Sequence, residues 1–144
     1  MQHSRPTLIL SLFLVSSFAS AAERDEAKAM NYLYCARVTG VQATLAKEGG
    51  NAAAANGFGQ MRTHFMIAAA MKSDGEFIKR EIPNVVQKFD AQHPMNTNDG
   101  AALAKGVALL KKETEECSGA WLSDVRYFIG WEKKSGAGNS TAPK

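Results

Sequence analysis

Two cysteines, Cys35 and Cys117, are the only ones in this chain of 144 residues, and 81 residues separate them. Their chemistry depends on the compartment, because thiols stay reduced in the cytosol, whereas two lone cysteines in an oxidising compartment most often form one disulfide. The spacing excludes a C-x-x-C redox motif, and two thiols are too few for a zinc site of four thiolates. An intermolecular bridge is the alternative to an internal one. An internal bridge over this distance would constrain the fold more than any other feature of the sequence.

The first 21 residues have the pattern of a secretory signal peptide. Arg5 precedes an apolar run over residues 8–15, and Ala19-Ser20-Ala21 supplies small residues at the cleavage positions. The run is shorter than the roughly 20 residues that a membrane-spanning helix needs, and the rest of the chain has no second candidate. We therefore expect cleavage after Ala21 or Ala22 and an exported protein, periplasmic in a Gram-negative host and secreted otherwise.

The mature chain is expected to be one small domain with nearly balanced charge. Removing 21 of 144 residues leaves 123, with 16 basic and 14 acidic side chains, or a net charge of about +2. That balance argues against a nucleic-acid partner or a polybasic membrane contact. Val, Ile, Leu and Phe make up only 21 of the 123 residues. Because the net charge is also low, this content favours a close-packed, alanine-rich helical domain over a disordered chain.

Four segments have the apolar spacing of amphipathic helices, and none alternates like a strand. We predict helices over about 22–47, 51–72, 76–91 and 99–132. In the third, Pro83 leaves open whether the helix bends or begins there. The last helix has the longest apolar stripe, which lies within about 40° of one direction. Its members are Leu103, Val107, Leu110, Thr114, Cys117, Trp121, Val125 and Phe128.

Short connections between four helices favour antiparallel neighbours. The predicted fold is therefore all-α: a small antiparallel four-helix bundle in up-down-up-down order, with a long last helix. The first and last helices are adjacent in such a bundle, and Cys117 lies in the apolar stripe. We expect a Cys35–Cys117 disulfide to join helices 1 and 4 in a domain over 22–132, followed by a disordered polar tail over 133–144.

The motifs of common catalytic and metal sites do not occur in this sequence. No second histidine or carboxylate lies three or four residues from His64, so there is no H-E-x-x-H zinc helix, and C-x-x-C-H and G-x-S-x-G are also missing. We expect no catalysis, no metal and no cofactor. Arg37 lies within the apolar arc of helix 1, either with its head reaching water or in an ion pair or ligand contact.

Apolar and aromatic side chains crowd the end of the last helix, and several lie beside its core stripe. Such clusters are common at partner surfaces, although a helix that contacts two neighbours can bury both flanks. The candidate partner surface consists of Trp121, Leu122, Tyr127, Ile129 and Trp131. The leading functional hypothesis is contact with another exported or envelope protein, as in inhibitor, immunity-type or chaperone-like roles.

The alternative hypothesis is a carrier that holds a small apolar ligand, or haem without a covalent link, between the helices. The second helix offers apolar side chains and one histidine at suitable spacing for this. The candidate ligand contacts are Phe58, Met61, His64 and Phe65.

Overall fold

A computed structural model describes residues 24–125 as four α-helices in chain order, followed by a π-helical turn. The helices are α1 (Glu26–Glu48), α2 (Ala52–Lys72), α3 (Gly75–Gln92) and α4 (Gly100–Ala120), and the π turn is Trp121–Val125. The all-α class is confirmed. The predicted signal peptide over 1–21 and the predicted tail over 133–144 lie outside the described residues.

Each helix begins after a side chain that caps its first turn. A side-chain oxygen accepts a hydrogen bond from a backbone N–H two or three residues later, which satisfies one of the donors that every helix start leaves unpaired. The caps are Asp25, Asn51, Asp74 and Asp99. The cap at Asp74 settles the question raised by Pro83, because α3 begins at Gly75 and continues through that proline to Gln92.

The order of the contacts along α1 gives the directions of the other helices. The backbone N–H of Asp25 donates to the carbonyl of Lys72 (2.9 Å), so the start of α1 lies beside the end of α2. The ion pairs Arg24–Asp74 and Arg37–Asp90 show that α3 runs in the same sense as α1.

The last helix runs in the opposite sense to the first. Gln42 bonds to Thr114 and Cys35 to Cys117, so residue numbers rise along α4 as they fall along α1. These directions are compatible with the predicted up-down-up-down order. The disulfide between α1 and α4 is confirmed, with the two Cα atoms 5.4 Å apart.

The core lies around α1, which contacts all three other helices. α1 buries a broad face, and α2, α3 and α4 each contribute a few large side chains to it. The buried core residues include Tyr32, Leu33, Val38, Phe65, Phe77, Val85, Phe89, Leu110, Cys117 and Val125. Among residues 24–125, no helix is long and apolar enough to cross a membrane.

The first half of α4 departs from the predicted stripe. Leu110 and Cys117 are buried as expected, but Leu103 is 36% exposed and Val107 is 50% exposed. Gly106 is the buried residue of these turns, because α4 here lies against the loop after α3: a Cβ at Gly106 would stand 3.4 Å from Pro94 Cδ. Periodicity predicted the buried face correctly for the later turns of α4, but no neighbouring helix covers its first turns in the described structure.

Candidate functional site

Trp121 packs against α2. It is half-buried, and its indole Nε1–H donates to His64 Nδ1 at 3.0 Å. The two rings lie nearly parallel, with an interplanar angle of 6°. Leu122, the next residue, is 54% exposed. The other three members of the predicted partner surface, Tyr127, Ile129 and Trp131, lie outside the described residues.

The predicted ligand contacts divide between the surface and the core. Phe58 and Met61 line a shallow groove of about 360 Å³ together with Trp121. His64 lines a separate depression on α2. Phe65 is fully buried and lies against Tyr32, with ring centroids 6.1 Å apart. The structure therefore brings two of the four residues together and adds Trp121, which the sequence placed at a partner surface.

A groove that sequence reasoning did not identify lies between α1, α2 and α3. Its volume is about 380 Å³, and its floor is mainly aliphatic. Two arginines contribute to its lining, Arg37 from α1 and Arg62 from α2. The apolar lining residues include Leu33, Val41, Leu45, Met66, Ile82, Val85 and Val86. The one sequence signal for this groove was Arg37, which lies within the apolar arc of helix 1. The position of Arg62 could not be predicted, because it depends on how α1 and α2 pack together.

The guanidinium of Arg37 is partly neutralised and partly unpaired. Its Nη2 lies 2.9 Å from Asp90 Oδ1, and its Cζ lies 5.1 Å from the centre of the Phe89 ring. Its Nε is buried and has no hydrogen-bond partner. A buried N–H without an acceptor carries a desolvation cost, because it has lost its hydrogen bond to water without gaining another.

Arg62 crosses α1 at a glycine. A Cβ at Gly40 would stand 3.2 Å from Arg62 Cδ, so the absence of a side chain at Gly40 gives the arginine its path. Within residues 24–125, Arg62 makes no ion pair with a carboxylate. Arg37 and Gly40 are three residues apart on α1, a spacing that places their positions on the same side of a helix. Both arginines therefore border the same part of the groove.

A second exposed feature lies on the first turns of α4. Leu103 and Val107 are four residues apart and share one face of the helix. Lys111 is exposed about 40° further round the helix than Val107, and no acidic residue occurs between positions 100 and 112. This part of α4 is therefore an apolar and basic surface.

The one fully buried histidine side chain of residues 24–125 has neighbours at both nitrogens. The Nδ1 of His93 lies 2.8 Å from the carbonyl of Phe89, which can only accept, so this nitrogen carries the proton. Its Nε2 lies 2.8 Å from Glu113 Oε2, an ion-pair distance, although the two are not aligned as a hydrogen bond. Because the ring is enclosed, His93 holds the loop after α3 against α4 instead of facing a substrate.

Residues 24–125 contain no group of three or more His, Cys, Asp or Glu side chains that could hold a metal ion. No family model, curated protein or solved structure matches the chain. The candidate sites therefore rest on their own geometry.

Proposed function

We propose that the protein is exported and acts by contact with another exported or envelope protein, without catalysis. The disulfide between α1 and α4 supports export, because such bonds persist in oxidising compartments. The observation that carries the proposed contact is the exposure of Leu103 and Val107, which belong to an apolar stripe whose later members are buried.

The charge of α4 defines the partner that this surface suits. Between residues 100 and 112 the helix carries Lys105, Lys111 and Lys112 and no carboxylate. Lys112 pairs with Glu116 at 3.6 Å, whereas Lys111, which lies beside the face of Leu103 and Val107, makes no ion pair among the described residues. An amphipathic helix with acidic residues beside its apolar stripe would complement both properties of this surface. An inhibitor or immunity-type protein works through a contact of this kind.

The test begins with a photo-crosslinker at Val107 in the exporting host, which identifies the protein that contacts this surface. The affinity of that partner, purified without the crosslinker, is then measured for the unmodified protein and its variants. The variant Leu103→Glu with Val107→Glu should weaken binding about tenfold or more, because it puts carboxylates where an acidic helix docks. Ile67→Glu is the matched control, since Ile67 is similarly exposed but lies on α2. Equal affinity of the two variants and the unmodified protein would rule out this surface.

Carriage of a small apolar ligand is the second candidate. The groove of Phe58, Met61 and Trp121 supports it, because its lining is apolar and it adjoins the aromatic pair of Trp121 with His64. An added ligand mass under native conditions, or a Soret band in the absorption spectrum, would favour this candidate over the protein contact.

A further inference from the structure

We propose that the groove between α1, α2 and α3 binds a single-chain anionic amphiphile, an alkyl carboxylate, with its chain on the aliphatic floor and its head at Arg37 and Arg62. This site is separate from the surface on α4, and it does not depend on the function proposed above.

The floor of the groove is suited to an alkyl chain. Leu33, Met66 and Val85 line it from three different helices. At its edge, Leu45 and Ile82 are each 39% exposed. A chain in the groove would remove these side chains from water, which is the main favourable contribution to binding of apolar groups. The volume of about 380 Å³ lies at the small end of the range for ligand sites, which suits one chain and not a docked helix.

The polar end of the groove is suited to a carboxylate. Arg62 has no carboxylate partner in residues 24–125, and the buried Nε of Arg37 lacks an acceptor. Guanidinium groups bind carboxylates through paired hydrogen bonds of matching geometry, more strongly than neutral donors do. A carboxylate beside the two arginines would supply the counter-charge that Arg62 lacks.

The net charge at this end favours a monoanion. Arg37 and Arg62 contribute two positive charges, and Asp90, which is paired with Arg37, contributes one negative charge. One unit of positive charge is left to neutralise. The single negative charge of an alkyl carboxylate neutralises this remaining positive charge, whereas a dianionic head would leave an excess negative charge beside the carboxylate of Asp90.

The first experiment measures binding to the disulfide-bonded protein by calorimetry, with three probes that share a twelve-carbon chain. Dodecanoate should bind saturably with one molecule per chain. Dodecanol should bind about tenfold more weakly, because it lacks the charge that pairs with the guanidiniums, and dodecyltrimethylammonium should not bind. Absence of saturable dodecanoate binding, or equal affinity for all three probes, would overturn the proposal.

Two substitutions of arginine distinguish binding in this groove from non-specific attraction of the anionic probe to basic side chains. Arg62→Gln should lower the affinity for dodecanoate to about that for dodecanol and leave dodecanol binding unchanged. Arg80→Gln is the matched control, because Arg80 pairs with Glu81 on α3 and does not line the groove. Equal losses in the two variants would contradict a role for Arg62.

A third variant tests the apolar edge of the groove. Ile82→Glu introduces a carboxylate at the exposed edge, so it should weaken both dodecanoate and dodecanol while circular dichroism stays unchanged. Unchanged binding of both probes would contradict the placement of the chain. The variant Leu103→Glu with Val107→Glu should bind dodecanoate normally, which separates failure of this proposal from failure of the proposed protein contact.

Discussion

A partly buried polar cluster joins three parts of the molecule through Tyr34, Glu113 and His93. The hydroxyl of Tyr34 lies 2.9 Å from both Glu113 Oε1 and Gln92 Oε1, and its single proton can be donated to one of them at a time. The other carboxylate oxygen of Glu113 contacts His93 at 2.8 Å. Burial, and then the hydrogen bond with Glu113, raise the pKa of Tyr34 well above its ordinary value of 10. The cluster therefore ties α1 to α4 and to the loop after α3.

Replacement of Tyr34 by phenylalanine should lower stability near neutral pH and make stability less sensitive to alkaline pH. Near neutral pH, the loss of the hydrogen bond should lower the free energy of unfolding by about 1 kcal/mol. Above pH 10 the unfolded tyrosine loses its proton while the folded one keeps it, so the native protein loses stability as the pH rises. Tyr34→Phe removes this contribution and should show a shallower decline.

Urea unfolding at about pH 8 and about pH 10.5 would measure both effects of the Tyr34→Phe substitution. Tyr32 also has a raised pKa, mainly from burial. Because Tyr32 is present in both proteins, the difference between their free energies of unfolding reports on Tyr34 alone. Identical alkaline slopes for the variant and the native protein would show that Tyr34 does not stay protonated as described.

At the scale of elements, α2 forms from a sequence that is weak in its first turns. Gly57 and Gly59 both lie within this helix, where glycine is less favourable than alanine because it loses more backbone entropy. The side chain of Asn51 offsets part of this cost by accepting a hydrogen bond from Ala54 N at 3.0 Å. Packing against α1 supplies further support, since these two helices make the most extensive contact in the described structure.

Gly57→Ala should therefore stabilise the protein. Apart from the helix's own backbone and the two adjacent residues, no atom lies within 4 Å of the Cβ that it would add, so the substitution should raise the free energy of unfolding by nearly 1 kcal/mol. Gly40→Ala is the informative comparison, because its Cβ would stand 3.2 Å from Arg62 and the arginine would have to move. Thermal unfolding should show a clear rise in Tm for Gly57→Ala and a smaller change, or a fall, for Gly40→Ala.

At the scale of the whole molecule, α1 connects parts that otherwise have little contact with one another. α2, α3 and α4 all pack on α1, whereas α3 and α4 meet mainly through the loop that joins them. α4 is attached to α1 through the disulfide, the Gln42–Thr114 hydrogen bond and a few buried side chains such as Leu110. The covalent bond therefore supplies an attachment that α4 cannot obtain from a large apolar interface.

Removal of the disulfide should cost more stability than any other change considered. The double variant Cys35→Ser with Cys117→Ser should lose roughly 4 to 5 kcal/mol, the chain-entropy value for a bridge between residues 82 apart in sequence. Urea unfolding of this variant and of the reduced native protein should give the same midpoint. The oxidised mass should be two hydrogens lower than the reduced mass, with no free thiol. A loss below about 1 kcal/mol would indicate that the packing of α4 alone holds it in place.

The sequence by itself indicated the four helices and favoured the bond between Cys35 and Cys117. Helical periodicity and capping depend on residues three or four positions apart, and these interactions are visible in the sequence. The pairing of two lone cysteines required only that the first and last helices be neighbours. Of the candidate sites, the sequence indicated Arg37 as unusual and grouped Phe58 with Met61.

Only the tertiary structure decided which apolar faces are covered and where the arginines lie. Leu103 and Val107 have the same periodicity as Leu110, yet they are exposed, because α4 meets α1 only in its later turns. The groove depends on Arg62 crossing Gly40, two positions on different helices. Burial and site geometry are set by neighbours distant in sequence, and the periodicity of one helix contains no information on the helix that faces it.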